Sequence, residues 1–205
     1  LFFCNLALGA NSSAPKYSAV VVDANTRDIL FAENEEKRLH PAGLTKLMTL
    51  YVAFEAIEDG EIGLDDKVIV SNHAASEAPV KLGLRPRQKV RLRYLLRAAA
   101  VQGSNDAATA IGEYIEGSEA AFARRMNRTA EDLGMTRSTF RNAHGLTETG
   151  QLSTAQDMAV LLLALNEEFP DYFNLFSRKN TSAGVKTVRH SGRRRGSLCS
   201  TEPAR

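Results

Sequence analysis

From Tyr17 to Ala24 the chain reads YSAVVVDA, a run rich in β-branched residues. The turn-forming pair Asn25-Thr26 follows and RDILFAE comes next, a pattern that predicts an antiparallel hairpin. The period then changes to that of a helix. Between His40 and Gly60, the residues Leu44, Leu47, Met48, Tyr51, Val52 and Ile57 recur on one helical face, and Gly60 closes the segment. Ala53 and Phe54 widen the stripe, so burial on more than one side is expected.

Further along, KVIV (Lys67 to Val70) predicts a short strand. A loop with Pro79, Gly83 and Pro86 leads into an apolar-faced helix from Leu92 to Gln102. After a break at Gly103-Ser104-Asn105, a helix is predicted from Asp106 to Ile115; Ser118 caps the next one, which Gly134 closes. Thr139 to Leu146, TFRNAHGL, is loop-like, and Ser153 with Gln156 forms a capping box ahead of an apolar helix from Asp157 to Leu165. Strands at the start and helices through the middle predict an α+β domain, with an antiparallel sheet built from both ends of the chain around a helical cluster.

Composition supports a packed core, with 43% hydrophobic residues in 205. Charge changes the picture only by exclusion. The 26 basic and 24 acidic residues are dispersed along the chain, so no large field points to nucleic acid or to an anionic membrane. Periodicity is lost from Thr187, and Arg193, Arg194 and Arg195 are read as part of a solvated, irregular tail, 187–205, of the kind a frame change or truncation leaves. Residues 1–14, LFFCNLALGANSSA, are expected to be the remnant of a secretory signal, the alternative being a short buried strand or helix. That leaves 15–186 as the domain. Cys4 falls in the leader and Cys199 in the tail, so neither an internal disulfide nor a cysteine metal cluster is expected.

Lys46 raises the chemical question, because it sits in the first turn of an apolar helix, three residues after Gly43. Residues three apart share a helical face, so a hydroxyl at position 43 would lie within reach of the amine. This is the S-x-x-K arrangement, in which a serine attacks an acyl carbonyl and an amine of lowered pKa takes its proton. The bland alternative for Lys46 is a lysine snorkelling at a helix edge.

Five segments in order, from about Tyr17 to Phe176, carry a resemblance: VVVDANTRDILFAEN; HPAGLTKLMT; VQGSNDAATAIGEYIEGSEAAFARRMN; LGMTRSTFRNAHGL; and LSTAQDMAVL followed by FPDYFNLFS. Together they resemble the serine-type D-alanyl-D-alanine carboxypeptidases, the low-molecular-mass penicillin-binding proteins of the β-lactamase/DD-peptidase-like fold. The resemblance implies an enzyme that acylates its serine with the D-Ala-D-Ala end of a peptidoglycan stem peptide, releases the last D-alanine and hydrolyses the acyl-enzyme with water. Penicillins and other β-lactams acylate the same serine. It further implies no metal or organic cofactor, no nucleic-acid partner, a periplasmic or cell-envelope location, and membrane association only through a C-terminal region not found here.

Carried over, Lys46 is the general base, Asn105 a polar group holding the substrate, and Gly43 the position of the missing nucleophile. The family's S-x-N is matched at Asn105, but Gly103 and Ser104 stand where the serine would precede it, Ser104 one position late. For Asn105 a helix N-cap is the structural alternative. The family's K-T-G strand is absent; Lys186-Thr187-Val188 comes too early, and the C-terminal part of the sheet is expected to be missing. Two other hydroxyls are poor substitutes: Pro15 disrupts the Ser13-x-x-Lys16 match, and Thr45 diverges from Lys46 by about 100° around the helix. His144 is read as a turn-stabilising histidine before Gly145 rather than a triad member. An impaired enzyme is therefore expected.

Overall fold

The computed structural model describes residues 17–184 and, for the backbone, the strand Lys186–Arg189. The expected leader at 1–14, Cys4, Cys199 and the arginine run lie outside the described residues. Strands β1 (Ala19–Val22) and β2 (Ile29–Glu33) form the expected hairpin, with Val21 opposite Phe31 and a register shift after Val21. A 3-10 turn (Ala42–Leu44) runs into α1 (Thr45–Glu58), which is buried almost all round, as its broad stripe predicts.

Strand β3 (Lys67–Ile69), helix α2 (Asn72–Ser76) and strand β4 (Lys89–Arg91) follow, β3 pairing antiparallel with β4. Helix α3 (Leu92–Arg97) covers only part of the predicted 92–102 helix. Its remainder, Ala98–Gln102, is a π-helical turn ended by Gly103 in the left-handed conformation, φ 73°. Such widened turns are rare and concentrate near functional sites. Helices α4 (Asn105–Glu116) and α5 (Glu119–Asp132) pack closely across Gly112, where an added Cβ would lie 2.6 Å from the Phe122 ring.

Helix α6 (Ala155–Glu168) begins two residues before the predicted Asp157, and its N-cap is Thr154, one residue after the Ser153 of the capping box. Thr154 Oγ1 accepts from Asp157 N at 3.0 Å, while Ser153 Oγ is engaged with Ser138 Oγ at 2.7 Å. Helix α7 (Pro170–Phe173) presses its aromatic rings on α1, Tyr172 stacking on Phe54 at 4.6 Å between centroids. Strands β5 (Asn180–Ala183) and β6 (Lys186–Arg189) form a last antiparallel pair. Regular structure therefore continues past Thr187, where the tail was expected to begin, because Thr187 and Val188 pair with Ser182 and Thr181. The α+β class holds, with the helical cluster at its centre. Among the described residues the strands form three separate two-stranded sheets.

Candidate active site

The residue before Gly43 is strained. Ala42 has φ 46°, a left-handed conformation that a side-chain-bearing residue adopts at a cost of order 1–3 kcal/mol. Strain of this kind persists only where neighbours over-determine it, and here the neighbour is the Asn142–Leu146 loop. Gly145 (φ 90°) lies so close that a Cβ on it would sit 1.9 Å from the Ala42 carbonyl oxygen. Two side chains of α1 clamp the same loop: Lys46 Nζ donates to the His144 carbonyl at 2.5 Å, and Thr49 Oγ1 donates to the Ala143 carbonyl at 2.6 Å.

Within the loop, Asn142 Oδ1 accepts from Gly145 N at 2.7 Å, and Gln151 Nε2 donates to Asn142 Oδ1 and to the Leu146 carbonyl at 3.1 and 3.0 Å. His144 Nδ1 accepts from Leu146 N at 3.0 Å, the turn-stabilising role expected of it.

Lys46 is 7% exposed, and this burial pushes its amine down from 10.5 to about 8. It is no snorkelling lysine. A base in that range is partly neutral near physiological pH, as general-base catalysis requires. Opposite it, Gly43 offers room: a Cβ there meets nothing within 4 Å, and its φ lies outside the left-handed region. The neighbouring Thr45 Oγ1 is buried and makes no hydrogen bond to Lys46 Nζ.

Helix α1 packs on both the π-turn and α4, the elements that flank the Gln102–Asn105 segment. Ser104 is fully buried, takes the N-cap position of α4 and donates its hydroxyl to Gln102 Oε1 at 3.0 Å. The N-cap considered for Asn105 thus belongs to Ser104, one residue earlier. Asn105 instead braces the preceding loop, its N–H on the Val80 carbonyl at 2.8 Å and its Nδ2 on the Ala78 carbonyl at 2.9 Å. Asp106 extends the brace by accepting from the backbone N–H groups of Leu82, Gly83 and Leu84 at 2.9, 2.9 and 3.0 Å. The larger apolar cleft, about 330 Å³ and lined in part by Val20, Leu44, Leu47 and Met158, includes none of Gly43, Lys46, Gly103, Ser104 or Asn105.

Comparison with known proteins identifies the family and the fold. The profile of the peptidase S11 D-alanyl-D-alanine carboxypeptidases matches residues 10–202. The chain belongs to the peptidase S11 family. It is 37% identical over 169 residues to the D-alanyl-D-alanine carboxypeptidase DacF of Bacillus subtilis, covering 80% of this chain and 43% of that one. With DacD of Escherichia coli it shares 39% over 182 residues, covering 85% of this chain and 47% of that one. The chain thus spans about half the length of these curated relatives. Among solved structures, penicillin-binding protein 5 of Haemophilus influenzae superposes with a TM-score of 0.81 at 30% identity, covering 84% of this chain and 51% of that one. DacD of Francisella tularensis superposes at 0.78 and 36%, covering 80% and 40%.

What the sequence did not reveal in this S11 chain is the part played by the Asn142–Leu146 loop. Its grip on α1 links residues 98 positions apart, and only the glycine in NAHGL, flanked by polar groups, hinted at a close backbone approach.

Proposed function

We propose that this chain is a D-Ala-D-Ala carboxypeptidase-type domain of peptidoglycan metabolism in the cell envelope, and that it is catalytically impaired because its nucleophile position is Gly43. The observation that carries this reading is Lys46: a buried amine near pKa 8, three residues after an open glycine. In a member with serine at that position, Oγ attacks the carbonyl of the penultimate D-alanine as its proton passes to the neutral lysine amine. Collapse of the tetrahedral adduct breaks the amide bond, the departing D-alanine nitrogen takes up a proton, and water later hydrolyses the ester. Here Lys46 is the base without its acid. Losing such a nucleophile lowers turnover by about a million-fold in a serine hydrolase. Asn105, whose Nδ2 is spent on Ala78, would meet a substrate N–H through Oδ1.

A second reading, a non-catalytic module that binds peptidoglycan or a partner of the wall machinery, draws support from the same preserved scaffold. Incubation with a fluorescent penicillin tests the first reading. No covalent label is expected on the chain, and a label would mean that another hydroxyl has taken over. Co-sedimentation with peptidoglycan sacculi distinguishes a binder from a remnant.

A further inference from the structure

On the far side of His144 from its carbonyl lies a cluster that the reaction does not use. His73 of α2, Glu77 at the end of that helix and Glu119 at the start of α5 bring one ligand atom each to within 4.8 Å of one another. His73 Nε2 is 2.8 Å from Glu119 Oε2 and 3.7 Å from Glu77 Oε1. The other oxygen of each carboxylate faces His144, whose Nε2 is 3.4 Å from Glu119 Oε1 and 3.6 Å from Glu77 Oε2. Two carboxylates thus stand between two imidazoles, one oxygen of each turned to either ring.

The roles of the two rings differ. His144 Nδ1 accepts the Leu146 N–H, so in the neutral ring the proton is on Nε2 and points at the carboxylates. With its proton on Nε2, His144 faces the carboxylates without a free lone pair there and is not counted as a ligand. Glu119 Oε1 is further occupied by the Ala143 N–H at 3.1 Å and the Thr109 hydroxyl at 3.4 Å, which leaves Oε2 as its outward-facing atom. The side chains of Glu77 and Glu119 are only 12% and 15% exposed, whereas His73 is 52% exposed and opens the cluster to solvent. Two largely buried carboxylates held together call for positive charge at their open side, where His73 stands.

From this arrangement we propose that His73 Nε2, Glu77 Oε1 and Glu119 Oε2 bind one divalent transition-metal ion of the zinc class, with His144 Nε2 facing the other oxygen of each carboxylate. Zinc bonds of about 2.0–2.2 Å place tetrahedral ligands roughly 3.3–3.5 Å apart, between the observed separations. Small turns of the exposed His73 ring complete the fit, and water takes the fourth position. The hydrogen bonds from Ala143 N–H and the Thr109 hydroxyl to the non-ligating Oε1 of Glu119 are the kind of support metal carboxylates receive in such sites. The ion would join α2, α5 and the loop that holds Lys46. The sequence shows only half of it, the i,i+4 pair His73 and Glu77, because the third ligand comes from a separate helix.

Calorimetric titration of the chelator-stripped full chain with zinc chloride tests this directly. The expected result is one ion per chain, a rise in melting temperature reversed by chelator, and affinity at least tenfold weaker in His73→Ala and in Glu119→Gln. His73 is exposed enough for His73→Ala to fold, which circular dichroism verifies even if Glu119→Gln does not. The absence of both binding heat and a thermal shift up to millimolar zinc would overturn the proposal, as would unchanged affinity in folded His73→Ala. The readout is metal alone and is independent of penicillin labelling.

Discussion

The Asn142–Leu146 loop and the β1–β2 hairpin meet the rest of the protein in opposite ways. The loop is gripped by α1 through Lys46 and Thr49, tied to itself by Asn142 and Gln151, and packed so tightly that only glycine fits at 145. The hairpin leaves every residue of β2 exposed, with Ile29, Leu30 and Phe31 at 55%, 66% and 47%. The contrast teaches that burial and hydrogen bonding hold Lys46 in place whichever residue stands at position 43.

Gly145→Ala should break the comparison most severely. Its Cβ would collide with the Ala42 carbonyl in a backbone already at φ 90°, so a loss of about 3 kcal/mol or more is expected in urea denaturation. Thr49→Val removes one clamp and leaves the buried Ala143 carbonyl without its donor, a loss of about 1–3 kcal/mol by the same measurement. Gly43→Ser, by contrast, meets open space and should move stability by only a few tenths of a kcal/mol. Leu30→Thr on the exposed strand should change it by less than about 0.5 kcal/mol. A large effect at Leu30, or a small one at Gly145, would erase the distinction between the two regions.

Much of this was legible in the chain itself. Long periodic helices such as α4 and α5 came within a residue or two of their observed ends, and Lys46 stood out because an apolar stripe surrounds it. Strand β3 was read from its β-branched KVIV, but the three-residue β4, with a single β-branched residue between charged ones, went unseen at 89–91. The cap of α6 was displaced by one because Ser153 and Thr154 are both good caps, and the choice was made by Ser138, a distant partner that draws Ser153 away. The loop around His144 was recognised as a loop, but its function lies in contacts with residues nearly a hundred positions earlier.

The amine of Lys46 carries the account, and its titration tests it most directly. Burial lowers its folded pKa below the unfolded value of 10.5, so between about pH 8 and 10.5 the unfolded chain binds more protons. This group's effect on stability should therefore become more favourable as pH rises through that window, a dependence that Lys46→Met removes. Following the Lys46 side chain by NMR, we expect a midpoint near pH 8; a midpoint near 10.5 would mean a solvated lysine and would contradict the proposed site.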